Sequence, residues 1–307
     1  MNVVEKIIKK RKKREWELTL MILPAVVYVF VFSYLPIVGL SMAFQNYSYT
    51  KGIFSEFVGL KNFEFLTATG ALYRITKNTI GYNLLFILFG TLTKLACAIM
   101  FVEFTSRRFQ KIAQTFTFMP YFISWVVVSA IAYNIFGYEN GLLNSVLIRL
   151  DMEPVNVYLN KKCWPVILVF FHIWKGLGYG TVVYAAAIMG IDQDIYEAAE
   201  IDGATAWRKI TNITLPLLKP TVIIMLLLDI SHVARGDFDM FYNLVGKNSF
   251  LFSTTDIIDT YVYRALAETG NVGMGAAASF YQAILCFIII TIANGTIKKL
   301  QPDYALY

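Results

Sequence analysis

Reactive side chains are scarce in these 307 residues: two histidines, three cysteines and a few charges set among apolar runs. His172 and His232 stand far apart, with no H-E-x-x-H, no paired aspartates and no Ser–His arrangement nearby. No G-x-x-x-x-G-K-[ST] phosphate loop occurs. The Gly246-Lys247 pair is followed by Asn248, not by the hydroxyl that would reach a magnesium ion. Cys97, Cys163 and Cys286 have neither metal-ligand spacing nor the even number of a disulfide framework, and read as packing residues. The expectation is a chain with no catalytic residue, no metal site and no bound cofactor. Its chemistry would then lie in Lys94, Lys175 and Asp229, charges that are expensive inside a bilayer and must face a cavity or one another. A Lys175–Asp229 ion pair and a set of path-lining groups both satisfy that demand.

The elements that would hold these groups are membrane spans. Only 16% of residues are charged, where a soluble protein has nearer a quarter. Apolar runs of about 20 residues, enough to cross a hydrocarbon core, occur six times, at about 19–41, 78–102, 113–136, 164–190, 217–236 and 274–297. The first and third carry no charge, and the fifth carries Asp229, His232 and Arg235. The fold class is an all-α integral membrane protein of six transmembrane helices. The first run is too long for a signal peptide and lacks a cleavage site, so it reads as a retained helix. With both termini cytoplasmic, the inside segments hold 15 Lys and Arg, against 9 in outside segments half again as long. The basic residues of 1–18 can rest on anionic headgroups, so the net charge of +6 calls for no nucleic acid. A transmembrane domain would fill 19–297 and a cytoplasmic tail 298–307.

Local signals refine this frame. Pro24 and Pro36 predict kinks in the first span. "FVGLKNFEFL" (57–66) predicts a short amphipathic segment at the outer surface, and Leu142, Leu143, Val146, Leu147 and Leu150 predict an outer helix. "WKGLGYG" (174–180) allows either close helix packing or backbone unwinding beside a cavity.

The inner segment 191–216 is unlike its neighbours. Asp192, Asp194, Glu197, Glu200 and Asp202 crowd a short helix, with Ile191, Ile195, Ala198 and Ala199 toward one side. Ala198 and Ala199 keep the surface low, Gly203 permits a positive φ and a sharp turn, and a second short helix is expected from about Ala204 to Thr211. Leu215-Pro216 then opens the fifth span, proline being acceptable in a first turn. An acidic helix does not seek an anionic leaflet; it suits a basic protein groove.

Glu197, Ala198 and Ala199, then Gly203, then Ile213, Leu215 and Pro216 resemble the Glu-Ala-Ala motif of binding-protein-dependent ABC importer permeases, complete at its fixed spacing. "GLKNFEFL", "NGLLN" and "WKGLGYG" extend the resemblance over most of the chain, toward the carbohydrate, maltose-permease-like branch and its oligosaccharide subgroup. The resemblance implies a MetI-like architecture in a bacterial cell membrane and makes 191–216 a coupling loop. The partners it implies are two ATPase subunits that use ATP and magnesium, a second homologous permease and an extracellular solute-binding lipoprotein. A sugar path needs aromatic faces and hydrogen-bonding groups together. Trp174, Lys175, Tyr179, Tyr184, Asp229, Tyr281 and Gln282 are the candidates.

Overall fold

The computed structural model describes residues 3–68, 70–104 and 106–300. Of the tail expected at 298–307, residues 301–307 lie outside the described residues. Helix α1, Val3–Val29, runs from the basic segment into the first apolar run and passes Pro24 without a break. A π-helical turn, Phe30–Tyr34, and a 3-10 stretch, Leu35–Phe44, carry it to the hairpin β1 (Gln45–Asn46) and β2 (Glu56–Phe57). Then come α2 (Lys61–Ala68), α3 (Ala71–Glu103), α4 (Arg107–Phe118), α5 (Trp125–Phe136), α6 (Leu142–Arg149) and α7 (Trp164–Met189). The second half holds α8 (Gln193–Ile201), α9 (Ala206–Lys209), α10 (Leu215–Ser231), α11 (Phe238–Val245), α12 (Phe252–Thr255), α13 (Ile258–Ala267) and α14 (Val272–Leu300).

Among the described residues, five helices are long and apolar enough to cross a membrane. A sixth span is reached only by counting a bent pair, Arg107–Phe122 with Trp125–Phe136, as one. The third span expected at 113–136 is therefore divided in two: the chain turns by 101° between these helices. Pro120 sits in a 3-10 turn, Met119–Phe122, and the Ser124 hydroxyl accepts from Val127 N–H to start α5 afresh.

Packing is densest between α3 and α7. Tyr82, Phe86, Leu168, Phe171 and Phe241 anchor one core in the half nearer Trp164. Ala98, Tyr184, Ala185, Ile188 and Leu218 form another toward the far end of α7. A third joins α14, through Ala277 and Ala278, to Ala43, Ile75 and Ile258. The segment between α12 and α13 is tied to α3 by charge. Asp256, with no exposed side-chain surface, lies 2.7 Å from Arg264 Nη2 through each oxygen and 3.4 Å from Arg74 Nη2. Such pairing is what a buried carboxylate requires. The later part of α1 and the π and 3-10 turns that continue it point their apolar side chains outward between Trp16 and Val38.

Candidate functional site

The elbow is built by short-range hydrogen bonds. The Asp192 side chain caps α8 by accepting from Asp194 N–H at 3.1 Å. At the other end Gly203 has φ +74°, and Ala204 N–H reaches back to Ala199 C=O at 2.8 Å, the closure that glycine permits past a helix end. Two side-chain contacts then fasten α8 to the next helix: Lys209 Nζ donates to Glu200 Oε1 at 2.6 Å, and Tyr196 and Thr214 share a hydroxyl hydrogen bond of 2.9 Å. Glu197, Ala198 and Gly203 are exposed, and Ala199 is partly covered. Ile201 and Trp207 are 87% and 72% exposed, so the elbow offers acidic and apolar surface side by side.

One expectation here is corrected. α9 is not a separate helix ending near Thr211, and Pro216 does not open a new one. α9 continues through a π-helical turn, Ile210–Thr214, into α10, giving one helical run from Ala206 to Ser231. Pro216 has no N–H and would crowd the carbonyl four residues back. The π turn absorbs this by pairing Leu215 N–H with Ile210 C=O. Ile213 is partly buried, while Leu215 and Pro216 are exposed.

The candidate path residues do not converge. α7 is a continuous helix, so the unwinding allowed at "WKGLGYG" does not occur; Gly178 and Gly180 admit neighbours instead. A Cβ on Gly178 would lie 2.6 Å from Phe118 Cα and Thr117 O, and one on Gly180 would lie 2.4 Å from Lys94 Cδ. Trp174 packs edge-on to Phe171, toward the core. Tyr184 is buried in the core toward the far end of α7. Tyr281 shares a hydrogen bond of 3.0 Å with Thr76.

Gln282 donates to Ala234 C=O at 2.9 Å and to Asp259 Oδ2 at 3.0 Å. That carboxylate also accepts from Gly236 N–H at 2.6 Å. Burial pushes the Asp259 carboxyl above the usual aspartate range, against the pull of the Gly236 and Gln282 hydrogen bonds and of Arg235. Gln282 therefore serves to hold the turn after α10.

Lys175 and Tyr179, one turn apart on α7, do share a face. The Lys175–Asp229 pair does not form. The Lys175 ammonium donates instead to the carbonyls of Ile123 (2.6 Å), Tyr121 (2.8 Å) and Pro120 (3.4 Å), where α4 breaks from α5. Asp229 is in no ion pair among the described residues and is only partly buried. Tyr179 stacks on Tyr121, with centroids 5.5 Å apart and planes at 14°. Sequence reasoning missed Tyr121 and the break itself. The available signal was Pro120 followed by Ser124, an N-cap type of residue, immediately before Trp-Val-Val-Val.

This fold has counterparts among known proteins. The permease protein YteP, of a polygalacturonan/rhamnogalacturonan transport system in Bacillus subtilis (strain 168), is 32% identical over 310 residues, spanning 98% of this chain and 96% of its own. The trehalose/maltose transport system permease protein MalF of Thermococcus litoralis is 29% identical, spanning 94% of this chain and 97% of its own. A crystal structure of a bacterial ABC transporter that imports the acidic polysaccharide alginate contains a chain that superimposes with a TM-score of 0.86 at 30% identity, covering 96% of this chain and 99% of that one. The family model described as the binding-protein-dependent transport system inner membrane component matches residues 87–301. Over that length and at those identities, the chain belongs to this family of importer membrane subunits.

Proposed function

We propose that this chain is the translocation subunit of an ATP-driven sugar importer, carrying an oligosaccharide delivered by an extracellular solute-binding protein. The observation that carries the reading is the elbow: a capped, exposed helix bearing Glu197, Ala198 and Ala199, stiffly fastened to α10 by the Lys209–Glu200 and Tyr196–Thr214 contacts. A rigid lever joined to a membrane helix is what a separate ATPase needs in order to move that helix. The sugar assignment is supported by relatives named for polygalacturonan, trehalose/maltose and alginate transport. A second homologous permease completes the path, and two ATPase subunits use the ATP and magnesium. The bent pair α4–α5 counts as one span in this arrangement, which gives six spans with both termini cytoplasmic, in accord with the denser Lys and Arg of the inside segments.

The test is the assembled importer in proteoliposomes, offered labelled maltotriose and trigalacturonate with ATP inside. At least one probe is taken up by the wild type. Glu197→Lys, which opposes a basic docking groove, abolishes substrate-stimulated ATP hydrolysis while the subunits remain together. Uptake of amino acids in place of both sugars overturns the substrate class, and normal stimulation in Glu197→Lys overturns the coupling assignment.

A further inference from the structure

We propose that this subunit carries an oligosaccharide site on its outer surface, apart from the membrane path. The site is a groove between the β1–β2 hairpin with α2 on one side and the turn from α13 to α14 on the other. In it Lys61 receives a sugar carboxylate, and Asn46, Asn62 and Asn271 meet the hydroxyls around it. The proposal rests on the reading of this chain as a sugar importer subunit with both termini cytoplasmic.

The walls of the groove come from opposite ends of the chain and are fixed to one another. Phe44, Phe63 and Phe280 meet with ring centroids 5.5, 5.1 and 6.1 Å apart, which joins the start of the hairpin to α2 and to α14. Asn62 donates to the carbonyls of Ala43 and Gln45, each at 2.9 Å. Gly273 lets α14 close on that amide, since a Cβ there would lie 2.8 Å from Asn62 Nδ2. Asn271 accepts from Met274 N–H at 2.9 Å in the first turn of α14. Walls set before binding spare a ligand the entropic cost of ordering them.

The groove offers about 440 Å³, within the range of small-molecule sites. Its lining is polar, with Asn46, Lys61, Asn62, Thr269 and Asn271 against only Val58 and Met274. That is too little apolar surface for the core of a protein interface. Several polar atoms are still unused among the described residues. Asn62 keeps its Oδ1 and Asn271 its Nδ2, while the Asn46 amide and the Lys61 ammonium have no partner. Amides carry donor and acceptor together, as sugar hydroxyls do. Lys61 is the one charge in the lining. Glu56, opposite Asn46 in the hairpin, and Glu64, one turn along α2, form no ion pair with it among the described residues. A cation without a carboxylate of its own selects an anionic sugar, which makes the ligand a uronate-containing chain. The first span ends at Phe44 and α14 begins at Val272, so the groove stands at the outer rim. A chain held there by one end keeps the other near the mouth of the path at high effective concentration.

The test uses the assembled importer in proteoliposomes, outer face outward, with the native cysteines replaced. Thr269→Cys places an exposed thiol in the groove, and its labelling by an impermeant maleimide is followed. Trigalacturonate protects this thiol saturably and leaves a control thiol, Asn140→Cys, unprotected. Lys61→Gln raises the half-protecting concentration of trigalacturonate about tenfold, the loss of one charge-assisted contact, and does not alter the response to maltotriose. Asn46→Ala, which removes an amide that holds no other group, also weakens protection. Equal protection at Asn140→Cys, or protection indifferent to Lys61→Gln, overturns the site. Protection by the solute-binding protein without sugar, where trigalacturonate gives none, makes the groove a protein dock and overturns it too. Absence of protection in an importer that takes up either sugar overturns the site and leaves the sugar reading standing. An importer that takes up neither probe overturns the sugar reading and this proposal with it.

Discussion

The three glycines of "WKGLGYG" form a graded test of the packing around α7. A methyl group on Gly176 meets nothing within 4 Å. Gly176→Ala therefore gains the helix propensity of alanine, about 1 kcal/mol, at no steric cost. On Gly178 the same methyl lies 2.6 Å from Phe118 Cα and Thr117 O, roughly 0.8 Å inside ordinary contact at 3.4 Å, and both are backbone atoms that cannot rotate away. The end of α4 must retreat, and the hydrogen bonds from Lys175 to Tyr121 and Ile123 stretch with it. The cost is about 1–3 kcal/mol for overpacking alone. On Gly180 the neighbour is the Lys94 stem, at 2.4–2.9 Å, which can move but leaves a closely fitted groove to do so. Thermal unfolding of the purified permease in detergent should rank Gly176→Ala at or above the wild type, Gly180→Ala below it and Gly178→Ala lowest. Lys94→Ala should rescue Gly180→Ala and leave Gly178→Ala unrescued, since only the first pair is in contact. Equal losses at all three positions, or rescue of Gly178→Ala by Lys94→Ala, would refute the reasoning.

Two further outcomes follow from the topology and from Asp259. With the native cysteines replaced, cysteines at Asn140 and Lys247 should react with an impermeant thiol reagent outside intact cells and one at Arg208 should not; labelling at Arg208 from outside would overturn the proposed orientation. Burial raises the Asp259 carboxyl, so the folded state holds its proton more tightly than the unfolded chain does. The stabilisation this gives is complete below the usual aspartate range and is lost as pH rises through the raised value. Asp259→Asn, which keeps an acceptor for Gly236 N–H, should flatten that fall in melting temperature between acid and neutral pH; an unchanged pH profile would sink the assignment.

What the sequence made legible divides along physical lines. Long apolar runs reveal helices because hydrocarbon leaves the backbone no other solution, so α3, α7, α10 and α14 could be read directly from composition. The turn at Gly203 was legible for a local reason, the positive φ that glycine alone adopts freely. The assignments that failed depend on a partner distant in sequence. Lys175 could be seen as an expensive charge, but its acceptors lie more than fifty residues back, in a segment whose apolar residues read as one span. Gln282 looked like a path residue because it is polar and mid-span, yet Ala234 and Asp259 absorb its amide. Tyr184 and Tyr281 were candidates by type, and tertiary contacts placed them in packing roles.

The prolines show why the break at Pro120 was the hardest feature to read. Pro36 and Pro216 each follow a leucine preceded by a five-residue π turn, and in both cases the leucine N–H pairs with the carbonyl five residues back, Phe30 and Ile210 respectively. The ladder shifts register by one residue and the helical run goes on. At Pro120 the ladder is not repaired in this way. The last turn tightens to 3-10, Ser124 caps a new helix, and the orphaned carbonyls between them are taken up by a lysine from another helix. A proline in a membrane helix thus bends, bulges or breaks it according to which donor reaches the freed carbonyls, and here that donor comes from α7. If Lys175 is what makes a break cheaper than a bulge, the 101° turn is a property of α4 and α7 together, and no reading of residues 107–136 in isolation contains it.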